Sequence, residues 1–254
     1  MTNLYYPAIF IRKSFHLFRN TGEEKLGDDE LREIESAWAS FEALCPEIKT
    51  NIRIVPARKV NFKRDAEYCI LLYSENGDNY LANIGYLGEQ LDLYLVSRNI
   101  GTLWFGIGRP DEPAWNGLEF VIMIAIRKIA DASLFRKDMF ASKRKALSEI
   151  WSGDTLGVAE IARFAPSACN SQPWYVKNEK GTLSVSRYKK PGFRGMMPTV
   201  LVSYYNRIDL GIFLCILEIC MAEKQLSFTR ELFIDGGDAS AEYTKIAEYR
   251  TRSW

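Results

Sequence analysis

The sequence predicts an α+β protein built from two degenerate halves, and three observations lead there. A strand, helix, strand order occurs twice along the chain with little identity between the two occurrences. A polar, basic connector, Phe135-Arg136-Lys137-Asp138-Met139-Phe140-Ala141-Ser142-Lys143-Arg144-Lys145, separates them and places a boundary near residue 150, giving halves 1–150 and 151–254. With 47% hydrophobic and 26% charged residues over 254 positions, the chain can bury a core as one compact unit.

Asp28 to Leu44 reads as a helix, because Asp28 or Asp29 can cap its start and Leu31, Ile34, Trp38 and Phe41 recur at intervals of three and four. Pro46 bars its continuation. The apolar run Tyr68 to Tyr73 is a strand closed by the turn formers Glu75-Asn76-Gly77-Asp78. A helix with Ile84, Leu87, Leu91 and Leu95 on one face follows, stopped by Arg98-Asn99-Ile100-Gly101 before the strand Thr102 to Phe105. Leu118 to Ile129 is a β-branched, buried strand. In the second half, Tyr175 to Lys190 reads as a hairpin, Val200 to Tyr205 as a strand, Asp209 to Glu223 as a helix and Arg230 to Phe233 as a strand. Leu210 to Leu217 is apolar nearly all round, so that helix is expected at the centre, holding the halves together.

Charge excludes some partners. Lys and Arg total 33 against 32 acidic residues, so a net charge of +1 offers no global attraction to nucleic acid or an anionic membrane. No apolar run is read as long enough to cross a bilayer, and Met1 to Pro7 lacks a secretion-signal layout, so a cytoplasmic location is expected. Five cysteines without CxxC spacing read as reduced and structural. The single histidine, His16, excludes a multi-histidine zinc site, and no metal site is expected.

Arg163-Phe164-Ala165-Pro166-Ser167-Ala168-Cys169-Asn170-Ser171-Gln172-Pro173-Trp174 gathers turn formers, small polar groups and an aromatic in one loop. Those residue types also serve an ordinary helix-to-strand connection. Two other segments carry groups for an anion. Arg12-Lys13-Ser14-Phe15-His16 concentrates two cations, a hydroxyl and an imidazole, which suit a phosphate monoester or, equally, a solvated basic turn. Lys143 and Arg144 stand before a helix start, an odd place for cations given the positive end of the helix dipole, so an anion should balance them. Gly106-Ile107-Gly108 follows a strand and allows close approach by backbone amides, yet lacks the third glycine and following helix of a dinucleotide fingerprint.

The string Ala165 to Trp174 resembles the flavin loop of the FMN-dependent nitroreductase family. That resemblance implies a nitroreductase-like fold and FMN contacts from Pro166, Ser167, Ala168, Cys169, Asn170 and Gln172. It implies a phosphate grip from Arg12, Lys13, Ser14 and His16, with His16 where the family often has Arg, joined by Lys143 and Arg144. It implies too that Gly106, Ile107 and Gly108 lie near the flavin N5 edge. In family dimers the loop comes from one subunit and the grip and N5 loop from the other. Here the same parts fall in the two halves of one chain, while Arg53 to Val60 is read as the first half's degenerate counterpart of the loop. The expectation is an intramolecular pseudo-dimer, monomeric, with one flavin site, similar to single-chain nitroreductase-like proteins first noted in a thermophilic bacterium. The implied activity is ping-pong hydride transfer from NADH or NADPH through FMN to a small-molecule acceptor such as a nitroaromatic or quinone, with no side chain acting as a catalytic acid, base or nucleophile. A flavin- or nucleotide-binding protein without turnover, and an interaction protein that keeps only the fold, are the competing readings.

Overall fold

A run of six apolar residues does not alternate because both of its faces are covered. That is the case for β5 (Leu118–Lys128), whose Val121 to Ile126 are all buried between β2 (Tyr68–Ser74) and β3 (Ile100–Phe105). The computed structural model describes residues 2–61, 64–188, 197–236 and 241–252. Its first sheet has the strand order β1-β2-β5-β3, with β1 at Thr50–Pro56 and the short β4 (Ala114–Trp115) also pairing β5. Helix α1 (Thr2–Ile11) precedes it, α2 (Asp28–Ser40) follows Gly27, and α3 (Tyr80–Ser97) connects β2 to β3.

The second sheet has the order β6-β7-β8-β10-β9. Short α4 (Leu147–Ile150), β6 (Trp151–Ser152) and α5 (Ala159–Ala162) lead into β7 (Trp174–Glu179) and β8 (Thr182–Tyr188). These form the expected hairpin, except that residues 189 and 190 lie outside the described residues. Then come α6 (Thr199–Glu223), β9 (Ser227–Leu232) and β10 (Tyr243–Arg252).

Val200 to Tyr205 is not the expected strand but the first turns of α6, entered from Pro198. A short β-branched and aromatic run fits either element. Here a periodic apolar stretch continues for four more turns, and burial along it decides for helix. The repeat survives with β8 in the strand role: β1-β2-α3-β3-β5 and β7-β8-α6-β9-β10 give sheets of matching order, β1-β2-β5-β3 and β7-β8-β10-β9.

Helices α3 and α6 cross closely, and glycine sets the approach. A Cβ on Gly85 would run into the Ile208 carbonyl and lie 3.1 Å from the Ile212 amide nitrogen. One on Gly211 would run into the Ala82 carbonyl and lie 2.8 Å from the Tyr86 nitrogen. Each glycine thus meets the residues three before and one after the other. At the same sequence offset, Asn79 and Tyr205 hold the loops after β9 and β3, and Asn83 and Asp209 hold the loops before β1 and β7. The loop matching residues 163–173 is therefore Phe41 to Lys49. Arg53 to Val60, read from sequence as the counterpart, is instead β1 and a following 3₁₀ turn. The stretch 41–49 lacks the Ser, Asn and Gln of the motif and so carries no signal of the correspondence.

Helix α6 corrects one further expectation: by length and composition it is apolar enough to cross a membrane. Yet 67% of that stretch is buried inside the molecule, which accounts for its composition as that of a core helix.

Candidate functional site

Helix α6 anchors the predicted site through two residues one turn apart. Tyr205 packs on Gly106 and donates its hydroxyl to the Gly106 carbonyl, while Asp209 accepts the Ala168 amide at 2.9 Å. Residues i and i+4 share a helix face about 6 Å apart along the axis. The Gly106 loop from the first half and the 166–172 loop from the second are thereby attached to α6 one turn apart.

The 166–172 loop is strained. Cys169, Asn170 and Gln172 take positive φ of 51°, 56° and 47°, a region that Asn tolerates and other side chains adopt at a cost of about 1 kcal/mol or more. Hydrogen bonds hold that shape: the Ser167 hydroxyl accepts the Gln172 amide at 3.0 Å, and the buried Gln172 side chain donates back to Asn170. Pro166 and Ala168 are half-buried, and Cys169 is exposed with a free thiol.

The connector before α4 closes on this loop. Arg144 Nη1 donates to Asn170 Oδ1 at 3.0 Å and Nη2 to the Phe164 carbonyl at 3.1 Å; Asn170 Nδ2 donates to the Lys143 carbonyl at 3.1 Å. The Lys145 amide donates to Gln172 Oε1 at 2.9 Å. Lys143 is exposed and contributes its carbonyl. Burial, then the nearby Arg136, Arg12 and Arg163, push the Arg144 guanidinium down to about 10.

Arg12 reaches the same place from the end of α1, but as a buried ion pair. Its Nε donates to Asp92 at 2.8 Å, with Glu89 3.9 Å away and Ser14 Oγ 3.5 Å from Nη1. Burial opposes its charge, and the carboxylates of Asp92 and Glu89 more than offset that, raising its pKa. Thr102 and the Trp104 indole also donate to Asp92, while burial and Asp92 push the Glu89 carboxyl well above its usual range. Lys13 donates to the Leu134 carbonyl, and His16 is exposed, its own carbonyl held by Arg64. Of the expected grip, Ser14 lies beside Arg12, which acts on Arg144 as a nearby charge; the Lys13 ammonium is taken by the Leu134 carbonyl, and His16 is exposed.

Gly106 and Gly108 serve the protein's own packing. A Cβ on Gly106 would lie 2.6 Å from the Tyr205 ring and one on Gly108 2.6 Å from the Met123 side chain. The loop's open edge is Ile107, 66% exposed. Arg12 Nη2, Arg144 Nε and Arg163 Nε are buried and have no hydrogen-bond partner among the described residues, a cationic donor set of the kind the phosphate of FMN would satisfy. Buried, unpartnered cationic donors call for an anion.

Sequence reading missed Arg136, Arg163, Asp209 and Tyr205. The signal for Asp209 was present, a lone carboxylate opening the all-apolar run Leu210 to Leu217. Burial pushes the Asp209 carboxyl up to about 8, against the Ala168 amide and Ser171 hydroxyl, which favour its ionised form. Raised above an unfolded value of about 3.9, it adds stability that is complete below that pH and lost as pH rises through about 8. Asp209→Asn keeps an acceptor for the Ala168 amide and removes the titration. The variant is expected to match the wild type at pH 4 and exceed its melting temperature at pH 8 to 9. Parallel pH profiles would show that Asp209 is ionised throughout.

Comparison with known proteins matches residues 4–221 to a family model described as "Putative TM nitroreductase". No curated protein matches the chain. A structure described as a putative nitroreductase, TM1586 of Thermotoga maritima, superposes with a TM-score of 0.65 at 20% identity, covering 98% of this chain and 93% of that one. Another, described as a putative nitroreductase in complex with FMN from Desulfovibrio desulfuricans, reaches a TM-score of 0.42 at 17% identity over 59% of this chain and 95% of that one. The fold is nitroreductase-like, and on the match over most of its length the chain belongs to the TM1586-type nitroreductase family.

Proposed function

We propose that the chain is a cytoplasmic FMN-dependent oxidoreductase, folded as an intramolecular pseudo-dimer of residues 1–150 and 151–254. It takes reducing equivalents from NADH or NADPH and passes them to a small electrophilic acceptor such as a nitroaromatic or quinone, the two substrates taking turns at one site. The observation that carries this reading is that Arg144, with an unpartnered buried Nε, closes on the Asn170 and Gln172 loop of the other half, while the buried Arg12, also with an unpartnered donor, acts on Arg144 as a neighbouring charge. The matched strand orders and the reciprocal Gly85 and Gly211 contacts support the pseudo-dimer.

When bound, FMN supplies hydride acceptance and donation. The chain's part is binding and orientation. Arg144 and Arg12 hold the phosphate, with Ser14 beside them. Asn170 fixes Arg144, and Asp209 and Ser167 keep the strained loop in place. Tyr205 and Met123 back the Gly106 loop so that Ile107 faces outward.

A spectrum of the purified protein with added FMN, followed by NAD(P)H oxidation with a quinone, tests the proposal. Protein that gains no band near ~450 nm, a property of the flavin itself, would leave only the fold. Binding without turnover would favour a sensor or carrier. Arg144→Gln is expected to weaken FMN affinity roughly 10- to 150-fold by removing a charge-assisted hydrogen bond worth about 1.5 to 3 kcal/mol. Titration of both proteins with FMN checks it, and equal affinities would place the phosphate elsewhere. Arg12→Ala is a poorer test, because it would strand the buried Asp92 carboxylate and destabilise the fold by about 3 to 5 kcal/mol.

A further inference from the structure

We infer that the electron acceptor of this site carries an anionic group, an aryl carboxylate or sulfonate, which Arg109 receives while Arg64 and the cations of the turn after β1 draw it in. The acceptor's place there rests on the flavin reading above; the cationic rim itself does not.

Arg109 is fastened to the Gly106 loop at one end of its guanidinium. Its Nη1 donates to the Gly106 carbonyl at 3.0 Å and to the Gly108 carbonyl at 2.7 Å, and the Gly106 carbonyl also takes the Tyr205 hydroxyl. Both bonds leave from one nitrogen. The Nε and Nη2 edge of this exposed side chain makes no hydrogen bond among the described residues. That edge is a fork able to donate two parallel N–H bonds to one carboxylate. Ordinary surface ion pairs contribute little partly because two long side chains must be ordered to form them. Here the guanidinium is already held.

The surroundings add positive charge without neutralising it. The Arg64 guanidinium lies 5.3 Å from the centre of the ring of Phe105, the residue before Gly106, and its Nη1 reaches the His16 carbonyl at 3.4 Å. Arg58 and Lys59 are exposed on the 3₁₀ turn after β1, and a bridge between Val60 and Pro110 ties that turn to the residue after Arg109. None of these four cations forms an ion pair among the described residues, whereas nearby Glu112 is taken by Arg53 at 2.6 Å. Residues 57–65 and 105–111 carry five cations and two carboxylates, in a chain whose net charge is +1. Such a local excess concentrates anions at the rim and steers them inward. No hydrogen bond or ion pair joins the four to Arg12, Arg144 or the 166–172 loop among the described residues, so they are not part of the donor set assigned to the cofactor phosphate.

Ile107 supplies the apolar half of the recognition. It is 66% exposed between the two glycines whose carbonyls hold Arg109. An apolar wall with one placed polar group orients a planar ligand by its polar end. A nitroaromatic or quinone ring bearing a carboxylate or sulfonate meets both features, and its neutral counterpart meets only one.

The test compares FMN-loaded wild type, Arg109→Gln, Arg109→Lys and Arg64→Gln, with circular dichroism to confirm folding. The acceptors are para-nitrobenzoate against para-nitrobenzamide, and a naphthoquinone sulfonate against the parent naphthoquinone. The readout is the ratio of kcat/KM for the charged acceptor to that for its neutral counterpart, in which effects on the flavin cancel. Arg109→Gln is expected to lower the ratio about five- to tenfold and Arg64→Gln about twofold, with part of the loss recovered in Arg109→Lys. Raising salt from about 0.05 to about 0.5 M should lower it more in wild type than in Arg109→Gln. Binding of benzoate relative to benzamide, followed by perturbation of the flavin band near ~450 nm, should change in parallel. Should Arg109→Gln fail to fold, Arg64→Gln and the salt series carry the same test. A ratio unmoved by substitution and by salt would overturn the inference while leaving the flavin reading intact. Equal losses for both members of a pair would make Arg109 only a clamp on the Gly106 loop, and a loss confined to NADPH relative to NADH would give the rim to the reductant's phosphate; either result overturns it too. Protein that gains no flavin band would sink the flavin reading, and the anionic acceptor with it.

Discussion

Gly211→Ala is expected to destabilise the protein by about 3 kcal/mol or more, although alanine is the better helix former by about 1 kcal/mol. The added methyl would meet the backbone carbonyl of Ala82, which belongs to a hydrogen-bonded helix and has no rotamer through which to yield. Relief requires α3 and α6 to move apart, and that opens the packing of Leu81, Ile84, Ile208 and Ile212, all buried. For a chain of this size the loss corresponds to a fall in melting temperature on the order of 10 °C. Gly85→Ala should behave alike, since its methyl meets Ile208 in the same way. The double variant should cost less than the two singles together, because helices already separated by one methyl admit the second. Urea unfolding of all three proteins measures this, and a Gly211→Ala variant more stable than wild type would refute the close crossing.

Trp174→Ala should be comparably damaging, about 3 to 5 kcal/mol, and for a reason that concerns the core. Trp174 closes the flavin-type motif, yet its ring is fully buried and stacked on Phe213 of α6 at 4.7 Å and 15°. It staples the start of β7 to the central helix. Trp174→Phe keeps an aromatic partner for Phe213 and should recover a substantial part of the loss. Thermal unfolding of the two variants tests this; equal, small losses would mean that the site is packed loosely enough to collapse around alanine. Any fall in flavin affinity in Trp174→Ala therefore has to be read against its stability.

The elements most legible in the sequence were those whose burial follows one face or one continuous run. Ile34 and Trp38 of α2, the α3 stripe from Ile84 to Leu95 and the β5 run are of this kind. Val200 to Tyr205 was misread because six residues cannot separate helix from strand when both are buried. The motif at 165–174 was legible in kind, since its turn formers do build a strained loop, but the partners of that loop were not. Asp209 lies about forty residues along the chain from Ala168, and Arg136 and Arg163 come near Arg144 only after folding. Spacing carries no trace of such encounters. His16 and Lys13 were grouped with Arg12 by adjacency, although successive side chains in an irregular segment point in different directions.

The crossing of α3 and α6 also dictates the order in which the chain can assemble. The first sheet is complete in sequence by Lys128, yet the Gly85 face of α3 has no partner until Gly211 has been synthesised. Contacts so distant along the chain close late and slowly, because the intervening loop entropy must be lost first. A nascent first half therefore holds an apolar helix face without its partner until α6 has been made.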